Sequence, residues 1–193
     1  MKRLFLVLGL AATMLFSAQF ARATVIEFHA DLTGAAEVPV NASPATGFTQ
    51  VIVDTIANTM HVIISFAGLL GTTTASHIHC CTAAPLAGTA GVATTVPNFA
   101  GFPLGVTSGS YDNTLDLTLL SSYNPAFVAA NGGTAASAEA ALIAGMIAQK
   151  TYVNVHSSTF GGGEIRGFLI PEPATIGLLA MGLAGLVSLR RRT

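Results

Sequence analysis

An all-β fold, an antiparallel sandwich or barrel with one or two short helices, is predicted by three observations. Short runs rich in β-branched and aromatic residues alternate apolar with polar side chains and are separated by Gly, Pro, Asn and Asp. Only one long stretch, the Ala-rich Ala135 to Gln149, carries helical spacing instead. The roughly 147 residues between two terminal segments of different character suffice for one core.

Taken in order, Val25 to Leu32 sets Ile26, Phe28, Ala30 and Leu32 on one face and Glu27, His29 and Asp31 on the other. Phe48–Val53 and Met60–Phe66 are two further strands, with Asp54 to Thr59 reading as a hairpin loop between them. Ala75–His79 is a short strand after a turn-rich segment. Cys80 to Gly105, dense in Pro, Gly, Ala and Thr, reads as a long loop with a strand at Val92–Val96. Tyr111–Leu120 alternates again, with Leu115, Leu117 and Leu119 opposite Asp116 and Thr118. Asn124-Pro125 suits a helix start, and Leu142, Ile143, Met146 and Ile147 give the Ala135–Gln149 helix an apolar face. Tyr152–His156 and Glu164–Ile170 complete the set across Gly161-Gly162-Gly163.

The ends are different. Met1-Lys2-Arg3 precedes 13 uncharged residues, Leu4 to Phe16, then a more polar stretch ending Ala21-Arg22-Ala23. That is the pattern of a cleavable secretory signal, with small residues Ala21 and Ala23 where a signal peptidase reads and cleavage before Thr24. At the other end Pro171-Glu172-Pro173 interrupts regular structure. Ala174–Leu189 then gives 16 uncharged residues before Arg190-Arg191-Arg192. A helix of that length spans roughly 24 Å, a little short of a bilayer core, and the positive-inside rule leaves the arginines in the cytoplasm with the domain outside. The chain therefore divides into a signal peptide (1–23), a β domain (24–170) and a tail (171–193), and is exported.

Removing the ends changes the electrostatics. The whole chain has a net charge of −1, but six of its eight basic residues lie in the terminal segments. Lys150 and Arg166 face eight acids between Thr24 and Ile170, leaving the domain near −6. This excludes nucleic acid as a natural partner and confines membrane contact to the C-terminal helix.

His77-Ile78-His79 places two imidazoles on one strand face, with Cα atoms ~6.7 Å apart. His156 lies on a later strand whose Tyr152, Asn154 and His156 share a face. If those strands are neighbours, the three histidines converge as ligands for copper or zinc, which imidazole suits. The competing reading is three hydrogen-bonded histidines that organise the following loop. Cys80 and Cys81 follow directly. Adjacent cysteines across a trans peptide sit about 3.8 Å apart at Cα, below the ordinary disulfide range, so a bond between them needs a distorted ring. Soft metal ligation and pairing with another chain are the alternatives. Glu164 and Arg166, two apart on the last strand, are structural candidates for a salt bridge or for fixing a neighbouring loop. No nucleophile elbow, phosphate loop or paired-carboxylate site is present, so catalytic residues are not assigned.

The order Pro171, Glu172, Pro173, Ala174–Leu189 helix, Arg190–Arg192 resembles the PEP-CTERM sorting signal. The resemblance implies an exosortase that removes the tail. It also implies transient anchoring in the inner membrane of a Gram-negative bacterium that makes extracellular polysaccharide, and a product at the cell surface or in the matrix. The segments Leu32–Pro39 (LTGAAEVP), Ser43–Gly47 (SPATG), Ser76–His79 (SHIH), Tyr152–His156 (YVNVH) and Gly163–Gly167 (GEIRG) together resemble the CHRD domain. Cys80-Cys81 departs from the glycine and small residues common there. That resemblance implies a β-sandwich, of immunoglobulin-like or superoxide-dismutase-like kind. A looser likeness to copper–zinc superoxide dismutases rests on the His-x-His strand pair with a later histidine. The function expected from these readings is a non-enzymatic surface or matrix protein binding a macromolecule such as polysaccharide or another surface protein. The second expectation is a copper or zinc protein using His77, His79 and His156.

Overall fold

The computed structural model describes residues 25–172. Among the described residues, eight strands and two α-helices follow one another. They are β1 (Val25–Thr33), β2 (Thr46–Asp54), β3 (Thr59–Ala67), β4 (Thr73–His79), β5 (Gly109–Asp116), α1 (Pro125–Ala130), α2 (Ala135–Ile147), β6 (Tyr152–Ser157), β7 (Ile165–Phe168) and β8 (Ile170–Pro171). The expected signal peptide with Ala21 and Ala23, and the tail from Pro173 through Arg190, Arg191 and Arg192, lie outside the described residues. Among the described residues, no helix is long and apolar enough to cross a membrane.

The antiparallel, mostly β expectation holds, but the strands do not divide into the two stacked sheets of a sandwich. They form one hydrogen-bonded path, β4-β6-β7-β1-β2-β3-β5, that curls into a half-barrel. The reason lies in β7, whose four residues pair with β6 on one side and reach β1 on the other through Thr33 and Arg166. That short strand joins what would otherwise be two sheets.

Register along β1, β2 and β3 follows from period-2 alternation, since a one-residue slip would turn every apolar side chain outward. Phe28 pairs with Val51 and Val51 with Val62, while Ile26, Val53, Met60 and Leu115 form the adjacent row. All are buried, each apolar side chain contributing roughly 1.5–3 kcal/mol over the exposed state. The β2–β3 hairpin closes as its sequence predicts: Asp54 Oδ1 accepts from the Ile56 and Ala57 N–H groups at 2.9 Å, and Asn58 takes a φ of 52°.

Helix α2 starts at a capping box in which Thr134 and Ser137 satisfy each other's backbone N–H groups. It buries Ala138, Leu142, Gly145 and Met146, while Ile147 stays exposed and the helix stops there. Asn124 caps α1, its Oδ1 accepting from Ala126 N–H at 3.0 Å.

Three strand expectations need correction. Val92–Val96 forms only isolated bridges, His79 with Val92 and Thr94 with Tyr123, because the segment lies across the edge of β4. The run Tyr111–Leu120 ends at Asp116, whose carboxylate accepts from the Thr118 N–H and hydroxyl and turns the chain, so Leu119 is left exposed. The last strand is split at Leu169, whose N–H donates to Thr151 O at 3.0 Å. Its second piece, β8, pairs Pro171 with Phe28 and Ile170 with His29 on β1. Glu172 follows, its N–H donating to Glu27 O at 2.9 Å. Its Oε1 lies 2.6 Å from His29 Nδ1, an ion-pair approach without the alignment of a hydrogen bond.

Candidate metal centre

The two faces of the sheet have different fates. Ile78, Val153, Val155, Ile165 and Leu32 point into the core. The opposite face reaches solvent at Asp31, Phe48, Ser65 and Asp112, but over β4, β6 and β7 it is covered. There it carries His77, His79, Tyr152, Asn154, His156 and Arg166. The cover consists of three loops, from the β1–β2, β4–β5 and β6–β7 connections, whose backbone carbonyls meet these side chains.

Strands β4 and β6 are neighbours, with His77 opposite Asn154, His79 opposite Tyr152 and Ala75 opposite His156. The three imidazoles therefore come together, one ligand nitrogen of each lying within 4.8 Å of the others. His77 and His79 are buried, at 6% and 8% exposure, and His156 is half-buried at the rim.

Each ring is held through its other nitrogen. His77 Nε2 lies 2.6 Å from Pro97 O, His79 Nδ1 lies 2.9 Å from Ala90 O, and His156 Nδ1 lies 3.0 Å from Gly161 O. A carbonyl only accepts, so the proton of each neutral ring is drawn to the nitrogen facing it. That leaves His77 Nδ1, His79 Nε2 and His156 Nε2 as bare lone pairs. His77 Nδ1 and His156 Nε2 stand 3.4 Å apart, and buried His79 Nε2 has no hydrogen-bond partner. Burial keeps the rings neutral: it lowers His77, His79 and His156 from the usual 6.5, His79 to about 4. The neighbouring His156 adds to the effect at His77 and His79.

Two nitrogens bound to one tetrahedral ion at ~2.0–2.1 Å stand about 3.3–3.4 Å apart. The His77–His156 pair meets that spacing, and the separations to His79 lie within 4.8 Å. Metal-bound histidines characteristically donate their second N–H to a carbonyl or carboxylate, the arrangement present here three times over.

The neighbouring residues extend this order. The Tyr152 ring stacks on His79, and the Arg166 guanidinium lies 4.6 Å from the Tyr152 centroid. Arg166 Nε donates to Ala36 O at 2.5 Å and stands 3.8 Å from Glu37 Oε2. Glu37 itself is pushed up to about 7, chiefly by burial and against the pull of Arg166. Glu164 turns the other way. Its carboxylate accepts from Ser43 Oγ at 2.6 Å and from the Leu70 and Gly71 N–H groups. The two residues thus form no salt bridge with each other, because Glu164 precedes β7 and serves the β3–β4 turn while Arg166 points under the β1–β2 loop.

A family model described as the CHRD domain matches residues 28–169. The chain belongs to the CHRD domain family. A second model, the PEP-CTERM protein-sorting motif, matches residues 169–192. That motif implies processing by an exosortase and indicates export and cell-surface sorting. No curated protein and no solved structure matches the chain.

Within this CHRD domain the cysteines play another part than the thiolate ligands considered from the sequence. Cys80 and Cys81 are bonded to each other through a cis peptide, so neither sulfur is free to ligate or to pair with another chain. Both sulfurs lie against Gly145 of α2. Tyr152, Asn154 and Glu37 were not singled out as site residues by the sequence. The shared face of Tyr152, Asn154 and His156 on one strand was the signal available for the first two. The carbonyls of Ala90, Pro97 and Gly161 carry no side-chain signature at all.

Proposed function

We propose that the CHRD domain of this exported, surface-sorted protein binds one divalent transition-metal ion, copper or zinc, through His77 Nδ1, His79 Nε2 and His156 Nε2. One observation carries the reading: three bare imidazole nitrogens face one another while each ring's second nitrogen is fixed by a backbone carbonyl. Three mutually facing acceptors repel without a shared cation or proton, and burial disfavours the proton. An ion supplies what each of them lacks. A macromolecular ligand, the other function the sequence suggests, rests on the sorting signal and on the lack of a catalytic constellation in the sequence, neither of which bears on what this buried cluster holds.

The test is elemental analysis of the full chain purified from its native host, followed by titration of the apo protein with Cu(II) and Zn(II). One equivalent should bind, and His77→Ala, His79→Ala and His156→Ala should each lose it. His61→Ala, on the solvent face of β3, serves as the control that keeps binding. Protein that is isolated metal-free and takes up neither ion would end the proposal.

A further inference from the structure

Resting on that metal-binding reading, we infer that the centre is an open one, whose ion takes a small exogenous anion in the position the protein leaves vacant. The first support is the donor set. Among the described residues, the cluster whose ligand atoms approach within 4.8 Å comprises three histidines and no carboxylate or thiol. The nearby sulfurs of Cys80 and Cys81 are consumed in their mutual disulfide. Closed structural sites complete four protein ligands, whereas three histidines leave a position for water or substrate.

The second support is charge. Three neutral imidazoles leave the full dipositive charge of the ion uncompensated. The charged side chain packed beside them is Arg166, whose guanidinium lies 4.6 Å from the centroid of the Tyr152 ring that stacks on His79, and it is also positive. The acid nearest to it, Glu37, is engaged with Arg166 and not with the histidines. An anion is thus the ligand class the site lacks.

The third support is access. His77 and His79 are buried, but His156 is half-buried beside Gly161 and Gly162, both exposed. A side-chain carbon added at either glycine would meet nothing within 4 Å. The β6–β7 loop is therefore exposed and unobstructed beside His156, the half-buried ligand, and this is the side from which a small anion would reach the ion.

The experiment uses the full chain in detergent, loaded with Co(II) as a spectroscopic stand-in and titrated with azide. Azide should change the visible cobalt spectrum saturably, with one azide per cobalt, while a neutral molecule of similar size, acetonitrile, leaves it unaltered. A spectrum of stoichiometrically bound cobalt that ignores azide would overturn the open position while leaving the metal site standing. Failure of the wild-type chain to bind cobalt, copper or zinc would overturn both. Bulk at the entrance gives a second readout: Gly162→Phe should retain cobalt and lose azide affinity by at least about tenfold. Equal azide affinity in that variant would contradict entry past the β6–β7 loop.

Discussion

The His79 imidazole lies nearly parallel to the Tyr152 phenol ring, with centroids 4.7 Å apart and planes inclined by 7°. The Tyr152 hydroxyl donates to Ala90 O at 3.2 Å, the same carbonyl that accepts from His79 Nδ1. One side chain thus fixes both the plane of the imidazole and the acceptor that sets its tautomer. Tyr152→Phe keeps the stacking and drops the hydroxyl, so metal affinity should fall by less than about tenfold. Tyr152→Leu removes both, and the fall should reach roughly 10–100-fold, the range for outer-shell partners. Competition titration with a chromophoric chelator measures both. Equal affinities in all three proteins would show that Tyr152 does not position His79.

Glu37 offers a pH signature. Its carboxyl is raised by burial from 4.5 to about 7, so the folded chain retains a proton there that the unfolded chain releases. The stability this contributes is complete below 4.5 and is lost as pH climbs to about 7, on the order of 3 kcal/mol in all. The three site histidines, lowered by burial, act with the opposite sign: their contribution is present above 6.5 and lost on acidification. Glu37→Gln isolates the first effect. In urea titrations of apo protein, the stability of the variant relative to wild type should rise by about 2–3 kcal/mol between pH 4.5 and about 8. A difference that stays constant would mean the carboxyl titrates normally.

Arg166 is 3% exposed and Glu37 4%, so each is compensated largely by the other and by nearby backbone. Arg166→Met should cost about 3–5 kcal/mol, because it strands a buried acid and frees Ala36 O. Combining it with Glu37→Gln should recover part of that loss. Additive losses in the double variant, measured by chemical denaturation, would show that the two side chains do not interact.

At Gly145 the usual helix rule should invert. Replacing a helical glycine with alanine ordinarily gains about 1 kcal/mol. Here the added carbon would come within 2.5 Å of both Cys80 Sγ and Cys81 Sγ, which are tied together and cannot move apart. Gly145→Ala should therefore destabilise by about 1–3 kcal/mol, with partial recovery when both cysteines are serine. A higher melting temperature for Gly145→Ala alone would refute this packing.

Much of the fold can be read from alternation, because period 2 assigns each β1, β2 and β3 residue to a face and Asp54 and Asn58 mark the turn. The histidine cluster is legible for the same reason: His77 and His79 must share a face, and so must Tyr152, Asn154 and His156. Other features are set by contacts distant in sequence. The meeting of Arg166 with Glu37 depends on β7 bridging β6 to β1, which a four-residue strand does not announce. The burial of the histidine face depends on loops that contribute carbonyls, and a carbonyl is the same for every residue type. Leu119 misleads because the alternation continues in the letters after Asp116 has already turned the chain.

Strand β8 bears on how the protein is handled after synthesis. Pro171, the first proline of the sorting motif, is buried against β1, and Glu172 is fastened by Glu27 O and His29. The domain thus has no leash: its hydrogen-bonded sheet runs into the processing signal without a spacer. An enzyme that grips Pro-Glu-Pro must either work flush against the folded β1 edge or first lift two residues away from it. The pairing of β8 with β1 and processing by an exosortase therefore draw on the same few residues.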